Sequence, residues 1–384
     1  MRAGLKSITV LTFIVLSISL SSCSGHLSDK PKVERGQYTI ISDQIEKRNI
    51  DLDGNWEFYN QALLSPADFN NEENLPKMTC FLPLPSPWTK NISPELKMNG
   101  QGFGTYRIKV INPDKASELG LYVKNIVSSY RLYVNGVEQG SNGVPGTDKQ
   151  NTIPESVPKL ITFSSDTSAI EIILQVSNFH QSKGGPISSI TIGKTENLVR
   201  KASVMQFFDI LLLGSMLIMA LFHIGMFLYF RKGHSPLLFG IFCLLISIRI
   251  LITSEQFINV IFPGINWFIL FRIEFLSFVL APVFLLAFFR KLFPFGIHKN
   301  IAVAYYVCGA ILSLAALFLS SFILSRIFEF YQIIVAFLGI ILLNGLVKTI
   351  KKDFEGSMFF LIGGLIIFAT LLNDILYNRG IIQS

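Results

Sequence analysis

Charged side chains inside long apolar segments are the first candidates for chemistry in this sequence. Arg249, Arg272, Glu274 and Asp374 each interrupt a run rich in Ile, Leu and Phe. Ionisable groups in a lipid environment are costly, so they usually pair with one another or line a wet cavity. We therefore predict an intramembrane ion-pair network that couples helix packing to the rest of the chain, with Arg249 bound to Glu274 or to Asp374.

Aromatic and polar side chains in the amino-terminal half suggest a second kind of site. Flat apolar rings suit the C–H faces of sugars, and the residues predicted to bind a ligand are Trp56, Trp88, Tyr106, Tyr130, Asn178 and His180. The alternative is that the four rings form the core or corners of a β-sandwich, since each has a large apolar body and one polar atom. Asn178 and His180 follow a predicted strand, where ligand contacts often collect; there the alternative is a turn-forming role.

The sequence contains no recognisable catalytic or metal-ligating pattern. There is neither a GxSxG elbow nor a phosphate-binding Gly loop, and few acids are flanked by aromatic walls as a glycosidase pair requires. The cysteines Cys23, Cys80, Cys243 and Cys308 lack metal-ligand spacing. The net charge is +7, but no basic stripe with interleaved aromatics accompanies it. We therefore assign no catalytic residue, no metal, no cofactor and no nucleic-acid partner.

Six apolar segments organise the second half of the chain. A helix rises about 1.5 Å per residue, so roughly 20 apolar residues cross about 30 Å of hydrocarbon. The predicted spans, within a helical domain at 196–384, are 204–230, 236–253, 267–289, 301–324, 327–350 and 357–377. With 50% hydrophobic and only 15% charged residues, the composition also indicates a multi-pass membrane protein.

The links between these segments predict the orientation of the chain. Basic residues follow the first, third and fifth segments: Arg231, Lys232, Arg290, Lys291, Lys348 and Lys351. By the positive-inside rule these links are cytoplasmic, so residues 24–203 are predicted to lie outside a bacterial inner membrane. All the intramembrane charges then fall in the outer half of the bilayer. Asp209, Glu329 and Asp374 are expected to reach its outer interface.

The amino terminus is typical of an export signal. Arg2 and Lys6 precede an apolar run that ends in Leu20-Ser21-Ser22-Cys23. We predict a signal peptide at 1–23 and a polar tether at 24–36. The tetrad resembles a bacterial lipobox, which would make Cys23 a lipidation site; ordinary cleavage and an uncleaved anchor are the alternatives.

Residues 37–195 have the alternating pattern of short β-strands. Tyr106, Ile108 and Val110 point one way, while the charged residues between them point the other. Asn135-Gly136 supplies the positive φ angles of a tight hairpin turn. Similar alternation occurs at 119–123, 130–134, 170–176 and 190–192. Many short strands with turns between them predict an all-β sandwich.

Several runs in this domain resemble the galactose-binding-like jelly roll. They are Leu52-Asp53-Gly54-Asn55-Trp56, Pro85-Ser86-Pro87-Trp88, Gly102-Phe103-Gly104-Thr105-Tyr106-Arg107, Tyr133-Val134-Asn135-Gly136 and Ser177-Asn178-Phe179-His180. The resemblance implies a jelly-roll sandwich of the kind used for sugar binding. Joined to the helical domain, it is similar to the bacterial seven-transmembrane receptors with diverse intracellular signalling modules, whose polar helix positions resemble Arg249, Arg272-x-Glu274 and Asn373-Asp374. Such a receptor would continue into a seventh span and a signalling module, so the chain is expected to be truncated or to act through a partner.

The pattern as a whole predicts a transmembrane receptor, not an enzyme. Its exported jelly roll would bind a carbohydrate-like or other small ligand, and its helical bundle would transmit the signal. Expected partners are that ligand, membrane lipids, a cytoplasmic signalling enzyme and a second copy of the chain. The alternative is a membrane transporter or a carbohydrate-binding transport accessory protein. A transporter would need an inverted repeat and a substrate site at mid-bilayer, and the sequence has neither.

Overall fold

The computed structural model describes residues 32–40, 44–71, 74–90, 96, 98–112, 118–164, 167–231, 233–293, 297–351 and 357–378. An all-β domain comes first and a helical domain follows. The fold class predicted from the sequence, a jelly-roll sandwich followed by a transmembrane helical bundle, is confirmed. The signal peptide at 1–23 with Cys23, and the first part of the predicted tether, lie outside the described residues.

The described part of the β domain contains thirteen strands, one short α-helix, α1 (Gln44–Lys47), and two 3-10 helices at Pro66–Phe69 and Trp88–Lys90. The strands are β1 (Gln37–Thr39), β2 (Ile50–Asp51), β3 (Gly54–Asn60), β4 (Cys80–Leu84), β5 (Gly102–Ile111), β6 (Leu119–Val123), β7 (Ile126–Val127), β8 (Ser129–Val134), β9 (Val137–Asn142), β10 (Lys159–Phe163), β11 (Ala169–Asn178), β12 (Gly185–Pro186) and β13 (Ile190–Lys194).

These strands form two main sheets around one core. The larger sheet has the order β4-β3-β5-β11-β8-β9, with β1 parallel to β5; the smaller has the order β10-β6-β13-β2, and β12 pairs with β7 in a short ribbon. Buried side chains from both sheets, such as Tyr106, Leu132, Leu121 and Ile192, belong to a single apolar cluster. The domain is therefore a sandwich whose sheets pack through their inner faces.

The alternation read from the sequence corresponds to the faces of the sheets. Tyr106, Ile108 and Val110 of β5 are fully buried, whereas Arg107 points outward and its Nη2 lies 2.5 Å from a carboxylate oxygen of Glu171. The predicted hairpin is also present, because Asn135 has a φ of 49° and β8 pairs with β9 across that turn. Period-two spacing was sufficient to predict these strands.

The predicted tether overlaps the sandwich. Val33 is only 1% exposed, its N–H donates to the Asp53 carbonyl at 2.7 Å, and its own carbonyl accepts from Asn55 N–H at 2.8 Å. The apolar side chain of Val33 and its two backbone bonds fix this segment beside β3. Residues 32–36 thus belong to the β domain, and the tether boundary at 36 was placed too late.

Seven helices follow in the described residues: α2 (Thr195–Phe230), α3 (Ser235–Ile252), α4 (Ile258–Ile261), α5 (Trp267–Leu292), α6 (Lys299–Phe318), α7 (Ser321–Ile350) and α8 (Ser357–Asn378). Five of them, α2, α3, α5, α6 and α7, are long and apolar enough to cross a membrane, and α8 contributes a shorter apolar stretch at Ser357–Asn373. Each predicted span overlaps one of these helices, and the fourth, at 301–324, also extends into the start of α7. Many outward-facing side chains of the long helices are large and apolar, among them Phe207, Phe222 and Phe318, as a lipid environment allows.

Two predicted span boundaries were wrong. The fourth span ends at Phe318 and the fifth begins at Ser321, so Ser325 and Arg326 lie inside α7 instead of linking two helices. The helix accommodates both, because Ser325 Oγ donates to the Phe322 carbonyl at 2.8 Å and the Arg326 guanidinium lies 4.8 Å from the Phe322 ring centroid.

The first helix also begins earlier than predicted. It starts at Thr195, directly after β13 ends at Lys194, and Leu198 in its first turn is 1% exposed. A Cβ added at Gly120 of β6 would lie 3.1 Å from Leu198, so this turn packs closely on the smaller sheet. The helix therefore passes from the sandwich into the bundle without a break.

The helices pack as successive neighbours, α2 on α3, α3 on α5, α5 on α6 and on α7, and α7 on α8. A buried polar contact ties the middle of the bundle: the Tyr305 and Tyr331 hydroxyls lie 2.8 Å apart, and Tyr331 donates to the Val279 carbonyl at 3.1 Å. These bonds join α5, α6 and α7, since a buried hydroxyl needs a partner.

Candidate functional site at the interface of the two domains

The four aromatic residues predicted to stack on a sugar lie in the sandwich core. Trp56, Trp88, Tyr106 and Tyr130 are each at most 1% exposed. The Trp56 indole donates to the Leu52 carbonyl at 2.9 Å, and the Trp88 indole donates to the Tyr106 hydroxyl at 2.7 Å. Rings without exposed faces form no stacking platform. The four residues instead occupy the positions expected from the alternative interpretation, in which they belong to the core of the sandwich.

Asn178 organises the loop that leaves β11. Its buried side chain donates to the Gly100 carbonyl at 2.5 Å and to the Gln181 carbonyl at 2.8 Å, and it accepts from Gln181 N–H at 3.1 Å. An Asn side chain that bonds nearby backbone groups is typical of a turn. The turn-forming alternative therefore describes Asn178, and residues 178–185 are called the coupling loop below.

Trp88 fixes the coupling loop to the sandwich core. The Trp88 N–H donates to the Gly184 carbonyl at 2.8 Å. A Cβ added at Gly184 would lie 2.5 Å from the indole ring of Trp88, and one added at Gly185 would lie 2.8 Å from its nitrogen. Both positions require glycine because the backbone passes directly over the indole.

The coupling loop binds the outer end of α7. Ser182 N–H donates to Ser325 Oγ at 2.8 Å, and Ser182 Oγ donates to Glu329 at 2.7 Å. Lys183 Nζ lies 3.6 Å from the other carboxylate oxygen of Glu329. Sequence reasoning expected Glu329 only to reach the membrane interface, whereas the sandwich contacts its carboxylate there.

His180, predicted as a ligand contact, packs against the first turn of α5. It is 5% exposed, its Nε2 lies 3.1 Å from the Thr152 carbonyl oxygen, and its ring meets Phe268 edge-on at 5.3 Å. The Trp267 ring lies 6.3 Å away. Burial lowers the pKa of His180 below its usual value, because the charged imidazolium would be poorly solvated.

A second contact joins β6 to the link between α3 and α5. The Tyr122 hydroxyl lies 2.9 Å and 2.7 Å from the two carboxylate oxygens of Glu255, and Lys124 Nζ lies 3.1 Å from one of them. The Glu255 side chain is only 3% exposed, and its N–H donates to Asp209 at 3.3 Å. Burial and the hydrogen bond to Glu255 raise the pKa of Tyr122.

Sequence reasoning did not select Glu255 or Tyr122 as functional residues. Glu255 stands in an otherwise uncharged outer link, and this isolated charge was the available signal. Tyr122 lies on the opposite side of β6 from the alternating apolar residues Leu121 and Val123, where an exposed position was the simplest expectation.

Two residues of the predicted intramembrane network, Glu274 and Arg249, lie near each other. Glu274, in the second turn of α5, interacts electrostatically with Arg249. The Arg249 guanidinium also lies 4.9 Å from the Phe278 ring centroid. Arg272 is exposed and is not brought to this pair. The side chain of Asp374 lies outside the described residues.

Two cavities flank the Arg249–Glu274 pair. The first, here called the interface cavity, has a volume of about 290 Å³ and lies between the sandwich and the helices. Its lining includes Lys183, Glu274 and Glu329 together with the rings of Trp267, Phe271 and Phe328. The second, the intramembrane cavity, has a volume of about 620 Å³ and a mostly apolar wall that includes Arg249. Gln332 contributes to both walls, so the pair lies at the partition between the cavities.

Within the described ranges, no group of three or more His, Cys, Asp or Glu side chains is arranged to hold a metal ion. The acids at the interface are instead bound by hydroxyl, ammonium and backbone N–H groups. The site is therefore built from protein-to-protein polar contacts around a cavity.

Comparison with solved structures returned carbohydrate-active enzymes. A β-glucuronidase from Ruminococcus gnavus shares 15% identity over 40% of this chain and 29% of its own length, with a TM-score of 0.30. A GH2 β-galacturonidase from Eisenbergiella tayi bound to glycerol shares 12% identity over 38% of this chain and 24% of its own, with a TM-score of 0.28. The chain thus spans less than a third of the length of these enzymes. No curated protein matches the sequence.

The helical domain matches a described family. Residues 205–384 match the family model 7TM diverse intracellular signalling, and the membrane-length helices lie in the same part of the chain. The chain is a multi-pass membrane protein with an amino-terminal domain outside the bilayer, and the match supports a role in transmembrane signalling. Residues 205–384 are thus similar to the membrane domain of the 7TM diverse intracellular signalling family.

Proposed function

We propose that this protein is a receptor in which the sandwich binds a small ligand and the helices carry the change across the membrane. One observation supports this most strongly: the coupling loop is fixed to the sandwich core by Trp88 and is hydrogen-bonded to α7 through Ser182. A rigid connection of this kind would move α7 whenever the sandwich moves. The β6 contact at Glu255 does the same for the α3–α5 link.

The orientation of the receptor follows from where the two domains meet. The sandwich contacts the start of α5, the start of α7 and the link after α3. The basic residues lie at the other helix ends, at Arg231, Arg290 and Lys351. By the positive-inside rule, those ends lie in the cytoplasm and the sandwich lies outside it. An export signal, with or without lipidation of Cys23, agrees with this arrangement.

Transmission requires a ligand that favours one packing of the helices over another. A ligand with equal affinity for both packings would shift nothing, however tightly it bound. The polar interface supplies a two-state element, since Glu329 and Glu255 can exchange their sandwich partners for water at moderate cost. The output would reach a cytoplasmic signalling enzyme, either on a partner or in a further module.

The ligand is proposed to be carbohydrate-like or another small polar molecule. Because Trp56, Trp88, Tyr106 and Tyr130 are buried, its site has to lie elsewhere than at these rings. The interface cavity has both polar groups and aromatic faces, which is typical of small-molecule sites.

A transporter is the second candidate, and the intramembrane cavity is the observation that favours it. That cavity is large enough for a small molecule, and Arg249 would supply a charge near a substrate. Transport activity in sealed vesicles would distinguish it from a receptor.

Hydrogen exchange on the full-length chain in lipid nanodiscs tests the transmission. Ser182→Ala combined with Glu329→Gln removes the hydrogen bond from the Ser182 hydroxyl to Glu329 and the ion pair between Glu329 and Lys183. We expect faster exchange at the cytoplasmic ends of α5 and α7, and no change with Ser168→Ala, which alters an exposed serine of the sandwich. Unchanged exchange at those ends in the double variant would contradict the proposal.

Cysteine labelling in whole cells tests the orientation. In a background without native cysteines, Val137→Cys in the sandwich should react with an impermeant reagent from outside, because Val137 is 59% exposed. Lys351→Cys should react only after the membrane is opened. Labelling of both positions from the same side would overturn the orientation.

A further inference from the structure

Glu274 presents its carboxylate to the interface cavity without a hydrogen-bond donor. Across the described residues it receives no hydrogen bond, and Arg249 reaches it only through electrostatic attraction. Its position in the second turn of α5 places it at membrane depth, where an ionised group normally has a direct partner. The Tyr122–Glu255 and Ser182–Glu329 contacts show how the other acids of this interface are satisfied.

Aromatic residues line the same cavity as Glu274. Trp267 and Phe271, one turn apart on α5, are stacked with ring centroids 5.1 Å apart, and both line the cavity. Phe275 and Phe328 line it as well, with centroids 6.5 Å apart. A carboxylate beside several ring faces is the combination that recognises ammonium groups, through hydrogen bonding and cation–π attraction together.

The cations that line the cavity are already bound to other acids. Lys183 lies 3.6 Å from Glu329, and Lys124 lies 3.1 Å from Glu255. An anionic ligand would have to compete with these carboxylates for the lysines. A ligand with N–H donors would instead satisfy Glu274 and leave both pairs intact. The charges around the cavity therefore favour a cationic ligand.

We propose that the interface cavity binds a small primary amine, whose ammonium group donates to Glu274 and whose carbon skeleton packs on Trp267 and Phe271. This inference rests on the proposed receptor function and specifies the ligand class that serves it. Gln181, Ser182 and Lys183 of the coupling loop also line the cavity, so the amine contacts both domains at once. Occupancy thereby favours the packing in which the loop and the helices are in contact.

Tryptophan fluorescence provides a direct test, because the chain has three tryptophans and Trp56 and Trp88 are buried in the sandwich core. Full-length protein in phosphatidylglycerol nanodiscs, which contain no ammonium headgroup, is titrated with ethanolamine, putrescine and tyramine. We expect a saturable change that is absent in Trp267→Phe. Galactose and propionate, a neutral polyol and an anion, should give no saturable change.

Glu274→Gln separates recognition of charge from the shape of the cavity. We expect it to weaken amine binding at least tenfold by calorimetry, whereas Glu138→Gln, at a solvated carboxylate of β9, should leave affinity unchanged. Equal binding by Glu274→Gln, or saturable binding of galactose in place of the amines, would overturn the proposal. In nanodiscs with phosphatidylethanolamine, weaker ethanolamine binding would identify the lipid headgroup as a source of the same chemistry.

Failure of the amine proposal can be distinguished from failure of the receptor function. If amines do not bind but the Ser182→Ala, Glu329→Gln variant still alters exchange at the cytoplasmic helix ends, the receptor function stands and the amine proposal fails. If amines bind through Glu274 but exchange at those ends is unaffected by the variant, the binding site stands and the transmission fails.

Discussion

Inside the sandwich, Trp88 and Tyr106 are buried, and the Trp88 indole donates to the Tyr106 hydroxyl at 2.7 Å. Between the sandwich and the helices, Glu329 and Lys183 are about one third exposed and lie 3.6 Å apart, beside a cavity of about 290 Å³. The first region is closely packed and has one low-energy arrangement. The second depends on polar contacts that water can replace. This difference indicates that conformational change belongs to the interface, while the sandwich moves as a rigid unit.

The largest effect is expected from Trp88→Ala, which removes a core side chain from the rigid sandwich. Removing a fully buried indole should lower the free energy of unfolding of the sandwich by about 3–5 kcal/mol. The coupling loop should loosen as well, because the backbone of Gly184 and Gly185 packs against the indole that is removed. Denaturant unfolding with hydrogen exchange of residues 178–185 measures both effects. If the variant kept both the stability of the sandwich and the exchange rates of the loop, Trp88 would not be the residue that connects the two.

Gly184→Ala acts directly on the packing of the coupling loop. Its Cβ would meet the Gly100 carbonyl oxygen and, at 2.5 Å, the indole of Trp88, so the loop or its neighbours have to shift at a cost of about 1–3 kcal/mol. Gly214→Ala is the matched control, since a Cβ there meets nothing within 4 Å. We expect a lower unfolding temperature and faster exchange in the coupling loop for the first variant only. Equal behaviour of the two variants would show that the loop is not held by close packing.

Glu255→Gln weakens the other interface contact without changing its shape. It replaces a charged acceptor of Tyr122 and leaves Lys124 without its carboxylate, at a cost of about 1–2 kcal/mol. Exchange should rise in β6 and in the 253–266 link but not in β5 or β11. Glu46→Gln is the control, because its exposed pair with Lys194 is worth little. A uniform rise across the sandwich would contradict the proposed division into a rigid unit and a breakable interface.

The smallest effect is expected on stability when the pH is lowered. Burial keeps the pKa of His180 below 6.5, its usual value, so the unfolded chain binds more protons there as pH falls. The stability that neutral His180 contributes is therefore complete above about pH 6.5 and declines below it. The nearby cation Lys149 also lowers the pKa of His180. Thermal unfolding of the wild type and of His180→Gln is compared between pH 7.5 and 5.5. The wild type should lose more stability than the variant over this range, and an equal loss in both proteins would show that His180 is not responsible.

The strands and spans could be predicted because period-two and helical patterns are local. Tyr106 lies on the same face of its strand as Ile108 and Val110. This alternation already indicated that Tyr106 faces the core, and it was stronger evidence than the suitability of an aromatic ring for sugar binding. The helix at Ser325 and Arg326 was missed because polar residues near the bilayer surface resemble a link, although a helix can hold both.

The interface contacts could not be predicted from the sequence in the same way. Tyr122 and Glu255 are 133 positions apart, and Ser182 and Glu329 are 147 apart. Which strand end meets which helix end depends on the docking of two folded domains, and no local spacing encodes that. The charged helix residues were a partial guide, since Glu274 and Arg249 do lie at the partition between the two cavities.

The uninterrupted passage from β13 into α2 gives the molecule a mechanical property. A helix of 36 residues is about 54 Å long, at 1.5 Å per residue. With no flexible hinge at Thr195, a tilt of the sandwich by about 5° would displace the far end of that rod by roughly 5 Å, comparable with the pitch of one helical turn. The first transmembrane helix therefore acts as a lever arm that amplifies small rotations of the outer domain.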